Sequence, residues 1–139
     1  MQIKKQYPTS VAFIIALILS AGCLSIESSH DLEVSLVSDK DTYSFAEDIL
    51  IQVIIDTSQS MDNVTIKGDG LVSSKGPQIY LGPRTVDLLP GINIINFSKR
   101  IPSCSPCTKL ESGSYNITAS VTYEGDIIAN VSRSIQLTE

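Results

Sequence analysis

Two cysteines, Cys104 and Cys107, are the residues of this chain best suited to covalent chemistry. In an oxidising compartment so close a pair is expected to form a disulfide. By the chain-entropy estimate, a disulfide that closes so short a loop stabilises the fold by about 2 kcal/mol. This is enough to fix one connection but not to hold a fold together. A thiol–disulfide enzyme is the alternative, although the helix N-terminus and βαβ context that activate its thiolate are not predicted here. Zinc needs about four ligands, and this pair with the one histidine, His30, supplies fewer.

A second group of reactive side chains is acidic and lies between positions 39 and 48. Asp39, Asp41 and Asp48, together with Glu47, gather the carboxylate oxygens that Ca²⁺ prefers. Their spacing is not that of an EF-hand. The favoured interpretation is therefore a solvated loop between two strands, with calcium binding as the alternative. No metal and no other cofactor is predicted.

Asparagine provides the least ordinary pattern in the sequence. Four of the five Asn residues begin Asn-x-Ser/Thr, the acceptor pattern for N-glycosylation, namely Asn63, Asn96, Asn116 and Asn130. Chance would place about one of the five in such a pattern. Each alternates with, or precedes, apolar neighbours, so all four side chains are predicted to point to solvent. The alternative is that strands, which favour Thr at outward positions, produce the pattern without its being used.

Charge argues against a nucleic-acid partner, and the lack of catalytic motifs leaves no residue to name for catalysis. The chain has 15 acidic and 10 basic residues, whereas binding to nucleic acid needs clustered Lys and Arg to neutralise phosphates. The sequence contains no G-x-S-x-G, P-loop or H-E-x-x-H pattern. It also sets no two carboxylates in the contrasting environments that a hydrolase needs. We therefore predict a protein that is not an enzyme and has no nucleic-acid partner.

The N-terminus has the plan of a secretory signal. Basic residues Lys4 and Lys5 precede the apolar run 11–19, which is shorter than the about 20 residues that a membrane-spanning helix needs. The boundary that follows, Leu-Ser-Ala-Gly-Cys at positions 19–23, resembles the lipobox of prokaryotic lipoproteins. This resemblance implies cleavage before Cys23, a diacylglycerol on its thiol, and anchoring by acyl chains. An uncleaved anchor helix is the alternative.

These boundaries divide the chain into three segments. Residues 1–22 are predicted to be a signal peptide, residues 23–30 the lipidated cysteine and a short tether, and residues 31–139 one domain. The processed chain has 117 residues, a common size for a single hydrophobic core, and its formal charge falls to −7 because two lysines are removed. A lipobox combined with acceptor patterns for glycans fits an archaeal envelope best.

The elements that position these residues are predicted to be strands. Apolar and polar residues alternate over 32–36, 49–55 and 115–123, and turn residues such as Pro90-Gly91 separate the segments. Residues 79–81 and 86–88 are predicted to be two weaker strands separated by Gly82-Pro83. The final strand is predicted to bury Ile127, Ala129, Val131, Ile135 and Leu137. Seven or eight strands with this spacing are typical of an antiparallel sandwich.

Two further patterns narrow the class to Ig-like domains. Residues 111–115 resemble the tyrosine corner, in which Tyr115 would return its hydroxyl group to upstream backbone. Ile117 stands where antibody-type domains have their second cysteine, and the chain has no Trp, so those domains are excluded. Residues 88–93, then Phe97, and then the Gly-x-Tyr of residues 113–115 resemble the second half of adhesion-type CARDB modules.

Together these patterns predict a lipid-anchored, Ig-like surface module on the extracytoplasmic face of the cell membrane. Acyl chains would hold the domain at the membrane, while loops or an unpaired sheet edge meet a protein or glycan partner. No catalysis is predicted. The rival functions are a small-ligand or calcium-binding lipoprotein and a thiol–disulfide protein.

Overall fold

The computed structural model describes residues 31–103 and 105–139. The predicted signal peptide, Cys23 with its tether, and His30 all lie outside the described residues. Cys104 lies outside them as well.

Eight strands and one short helix make up the regular structure of the described residues. They are β1 (Leu32–Ser38), β2 (Thr42–Ser44), β3 (Asp48–Thr57), β4 (Met61–Gly70), β5 (Ile79–Leu88), β6 (Gly91–Arg100), α1 (Ser105–Thr108), β7 (Gly113–Tyr123) and β8 (Asp126–Thr138). This architecture confirms the predicted all-β class and its strand number.

The strands form two sheets, one of three strands in the order β1-β3-β6 and one of five in the order β2-β8-β7-β4-β5. β3 and β4 follow each other in the chain but belong to different sheets, and so do β5 and β6. Such crossings between two packed sheets are typical of an Ig-like sandwich. The prediction of an antiparallel sandwich needs one correction, since β2 pairs with β8 in parallel.

The core lies between the inner faces of the two sheets. Along β3 the residues 49, 51, 53 and 55 are buried while their neighbours face outward, as the alternation of the sequence predicts. They meet buried side chains of the larger sheet, such as Ile66, Leu81 and Val121. Burying a side chain of this size stabilises a fold by about 1.5–3 kcal/mol. This packing fixes which face of each strand remains outside.

Residues 79–88 form one strand, which corrects the prediction of two. Between the pairs Ile66–Arg84 and Gly68–Leu81, the β5 side carries one residue more than the β4 side, which is a β-bulge. The extra residue belongs to Gly82-Pro83, where Gly82 has φ +71 and the peptide bond is cis. β5 lies at the edge of its sheet, and an edge strand tolerates a proline at a bulge because fewer ladder hydrogen bonds are lost.

A second bulge corrects the predicted core of β8. Val121 pairs with Ala129 and Thr122 with Ile127, so Ile128 is the extra residue. The alternation shifts at this point. Ile128 packs against the core, whereas Ile127, predicted to be buried, is 63% exposed.

Candidate functional site

The acidic segment 39–48 is a turn without a helix, and Asp39, Asp41 and Asp48 within it are exposed, as predicted for a solvated loop. The short strand β2 also lies within it, which was not predicted. Tyr43 is 1% exposed, and its hydroxyl group donates to Asp39 Oδ1 at 2.7 Å and accepts from the Lys40 N–H at 2.8 Å. The Leu50 N–H donates to the same Asp39 oxygen at 2.9 Å. Asp39 therefore joins the turn to β3.

This arrangement shifts the pKa values of Tyr43 and Asp39 in opposite directions. Burial, together with the hydrogen bond to Asp39, raises the pKa of Tyr43 to about 12. Burial opposes ionisation of Asp39, but the hydrogen bonds from Tyr43 and the Leu50 N–H outweigh it and hold the pKa of Asp39 below its ordinary value. The carboxylate is thus kept ionised as an acceptor for neighbouring groups.

The other carboxylates of the segment each face a basic side chain. The pairs are Asp41 with Arg133, Asp48 with Arg100, and Glu47 with Lys40. The last pair lowers the pKa of Glu47 and raises that of Lys40. Among residues 31–103 and 105–139, no three His, Cys, Asp or Glu side chains come together to hold a metal ion. The calcium candidates Asp39, Asp41 and Asp48 are instead directed to separate partners.

Cys107 lies in α1 and is exposed. Its predicted disulfide partner, Cys104, is outside the described residues, so the disulfide stays a prediction.

Tyr115 makes the hydrogen bonds of a tyrosine corner. Its hydroxyl group donates to the Glu111 carbonyl oxygen at 2.8 Å and accepts from the Glu111 N–H at 3.0 Å. The ring is half-buried and packs against the core. This contact ties the segment before β7 to the start of that strand, four residues later in the chain.

All four asparagines of the acceptor patterns are exposed. Asn116 and Asn130 lie on the outer face of the five-stranded sheet, on β7 and β8. Asn63 lies on β4 with φ 58, a conformation that Asn tolerates better than most residues. Asn96 lies on the outer face of the three-stranded sheet and accepts a hydrogen bond from Gln52 Nε2 at 2.9 Å. Their exposure is compatible with glycosylation, which stays a prediction.

The outer face of the five-stranded sheet holds a depression of about 400 Å³, which we call the groove. Two rows of outward side chains cross it. In one row the cross-strand neighbours are Tyr80, Asp69 and Thr118, and in the other they are Lys67, Ser120 and Asn130. The bulge at Gly82-Pro83 forms its rim on β5.

Within the groove the polar side chains are held by neighbouring groups. The Thr118 hydroxyl donates to Asp69 Oδ1 at 3.1 Å, and the Ser120 hydroxyl donates to the Lys67 carbonyl oxygen at 3.3 Å. Tyr80 is 58% exposed. The groove therefore presents an aromatic ring, a carboxylate, an ammonium group and an amide on one face.

Sequence reasoning missed the groove. Alternation shows that Tyr80 points away from the core, because Ile79 and Leu81 flank it. However, the rows exist only once the register of β5, β4, β7 and β8 is known, and that register includes a bulge.

The outer face of the three-stranded sheet is more apolar. Ile54 and Ile94 are cross-strand neighbours there, and Leu50 and Ile92 are exposed on the same face. Asn96 lies between Ile94 and Ser98 on that face. Among the described residues, no helix is long and apolar enough to span a membrane.

Comparisons with known proteins find solved structures of similar fold. No protein-family model matches the sequence, and no curated protein does. The CARDB domain of a Pyrococcus furiosus protein, solved in complex with di-metal ions, is similar to this chain with a TM-score of 0.57 and 15% identity. The match covers 78% of this chain and 89% of that one.

Two other solved structures share the architecture. The C-terminal domain of wzt matches with a TM-score of 0.53 and 11% identity, over 78% of this chain and 74% of that chain. An alkylpurine DNA glycosylase from Pseudomonas fluorescens, bound to DNA with an abasic site analogue, matches with a TM-score of 0.54 and 13% identity. There the match covers 79% of this chain but only 31% of the glycosylase. At these identities the likeness concerns the fold, and the chain has a CARDB-like fold, an Ig-like sandwich of two sheets.

Proposed function

We propose that this chain is a binding module, anchored by lipid to the extracytoplasmic face of the cell membrane and without catalysis of its own. The observation that carries the binding role is the groove. It gathers polar side chains and an exposed ring on a sheet face that no other described element covers. A protein or glycan of the envelope would be the partner.

The lipobox at residues 19–23 supports the anchor. A lipidated Cys23 would begin a tether of eight residues, which spans at most about 28 Å when fully extended. The tether would join β1 at Leu32. At this end of the three-stranded sheet, Leu32 pairs with Thr57 of β3, and Thr57 pairs with Gly91 of β6. The opposite end, with β2 and α1, would face away from the membrane, and the groove would open sideways.

Protease treatment of intact cells tests this proposal. The native chain is expected to be degraded by external protease and to fractionate with membranes. Cys23→Ser should leave the protein unprocessed or release it from the membrane, whereas the matched Cys107→Ser should remain anchored. Protection of the native chain in intact cells, or membrane retention of Cys23→Ser at the processed mass, would contradict the proposal.

A further inference from the structure

Two glycines line the groove, Gly68 on β4 and Gly82 at the β5 bulge. Gly68 lies on β4 where the backbone approaches β7, and a Cβ there would stand 2.0 Å from the Thr118 carbonyl oxygen. Gly82, at the β5 bulge, would bring a Cβ to 2.5 Å from the Ile66 carbonyl oxygen. Neither position has room for a side chain, so the groove is lined by bare backbone at these two points.

The groove is long enough for a short chain molecule. Tyr80 lies on β5 and Asn130 on β8, separated by β4 and β7. Three interstrand spacings amount to about 14 Å. Its volume of about 400 Å³ lies within the range of small-molecule sites.

The side chains along this length combine one apolar platform with several hydrogen-bonding groups. The Tyr80 ring, which is 58% exposed, offers an apolar face in the groove. Beside it, the Asp69 carboxylate, oriented by Thr118, accepts hydrogen bonds. Lys67 donates, and the Asn130 amide can do both. Sugars require this combination, because their C–H faces stack on rings while their hydroxyl groups both donate and accept.

Charge further restricts the ligand. The lining holds one basic and one acidic side chain, Lys67 and Asp69. A phosphate or carboxylate ligand would call for several cationic donors, typically arginine. From the ring, the hydrogen-bonding groups and the balanced charge together, we infer that the groove binds a short, neutral saccharide chain. This inference rests on the proposed function and names the ligand class of the module.

The saccharide would come from one of two sources. Asn130, which lines the groove, begins an acceptor pattern for N-glycosylation, so a glycan attached to Asn130 would start inside the groove and reach towards Tyr80. A free glycan of the envelope would use the same ring and the same polar groups. Both sources share one recognition chemistry, and an experiment can separate them.

The test uses the full chain made in a host without N-glycosylation. It is titrated with neutral hexose and N-acetylhexosamine tetrasaccharides, with affinity measured by calorimetry or by NMR shifts. At least one tetrasaccharide is expected to bind. Tyr80→Ala and Asp69→Asn should each weaken that binding about tenfold or more.

Two matched controls keep the result specific. Ile94→Ala removes an exposed apolar side chain from the other sheet, and Ser114→Ala removes a hydroxyl group from the same outer face, outside the groove. Neither should change affinity. Circular dichroism establishes that every variant is folded. If no tetrasaccharide binds the folded wild type, or if Tyr80→Ala binds as tightly as wild type, the inference is overturned.

The native, glycosylated chain separates the two sources. If the glycan on Asn130 fills the groove, the native chain does not bind added tetrasaccharide and Asn130→Gln restores binding. If the ligand is a free glycan, the native chain binds as well as the unglycosylated one. Failure of all saccharide binding by a chain that external protease still degrades on intact cells would refute this inference and leave the module proposal standing.

Discussion

The hydroxyl groups of Tyr43 and Tyr115 make the same kind of local contact in different surroundings. Each returns its hydroxyl group to residues three or four positions upstream, and each receives a backbone N–H in exchange. The Tyr43 ring is buried and its hydrogen bonds to Asp39 and Lys40 are partly buried, whereas Tyr115 is half-buried and its hydrogen bonds to Glu111 are exposed. Burial therefore decides what the loss of each hydroxyl group costs.

Tyr43→Phe is expected to lower the free energy of unfolding by about 1–3 kcal/mol, because Asp39 and the Lys40 N–H lose a partner in a partly buried contact. Tyr115→Phe should cost at most about 1 kcal/mol, since water can replace its hydroxyl group at Glu111. Urea unfolding of both variants measures the difference. Equal losses of stability in the two variants would show that the hydrogen bonds of Tyr43 are no better shielded from water than those of Tyr115.

The raised pKa of Tyr43 gives a pH dependence. Its folded pKa of about 12 exceeds the ordinary value of 10.0, so its contribution to stability is complete below pH 10 and is lost as the pH rises from 10 towards 12. In an ultraviolet titration of tyrosine ionisation, the folded chain should show one late step near pH 12. Tyr43→Phe should remove that step, whereas Tyr115→Phe should leave it in place.

At the scale of elements, β4 depends on a residue without a side chain. It lies between β5 and β7, and at Gly68 the β7 backbone leaves no room for a Cβ atom. A methyl group at that position meets backbone, which cannot move aside like the end of a flexible side chain.

Gly68→Ala is therefore expected to destabilise the domain by about 2 kcal/mol or more, because β4 must separate from β7. The control is Gly125→Ala, in the turn before β8, where φ is +91 but an added Cβ would meet no atom within 4 Å apart from its chain neighbours. It should cost about 1 kcal/mol from backbone strain alone. Thermal unfolding compares the two, and a loss at Gly68 no larger than at Gly125 would contradict the close approach.

Strand positions could be predicted where burial alone determines the pattern. The alternation in β3 and β7 depends on which side chains leave water, and that information is local to each strand. The bulges at Gly82-Pro83 and at Ile128 could not be predicted, because they depend on how two strands pair. β2 was missed for the same reason, since three residues become a strand only through pairing with β8.

The candidate sites also divide into those formed by neighbouring residues in the chain and those formed by strand pairing. The Tyr115 corner lies within five consecutive residues, so the sequence could indicate it. The groove assembles Tyr80, Asp69 and Asn130 from three strands, and only the sheet order places them together. Asp41 resembled a calcium ligand in sequence because its partner, Arg133, is 92 positions away.

At the scale of the whole molecule, the described residues present two sheet faces of different character that no other described element covers. One is the polar groove of the five-stranded sheet, and the other carries Ile92, 70% exposed, with Ile94 and Leu50. Asn116 and Asn130 lie on the first face and Asn96 on the second, so glycans at these positions would change what each face can contact. Anchoring at one end would leave both faces accessible along the membrane surface.

The anchor is the claim on which this account of the function depends, and mass spectrometry of the N-terminal peptide from membrane-extracted native protein tests it most directly. The account predicts that the mature chain begins at Cys23, with a diacylglyceryl group on the thiol and residues 1–22 removed. A native chain that begins at Met1, or one that begins at Cys23 with a free thiol, would contradict it.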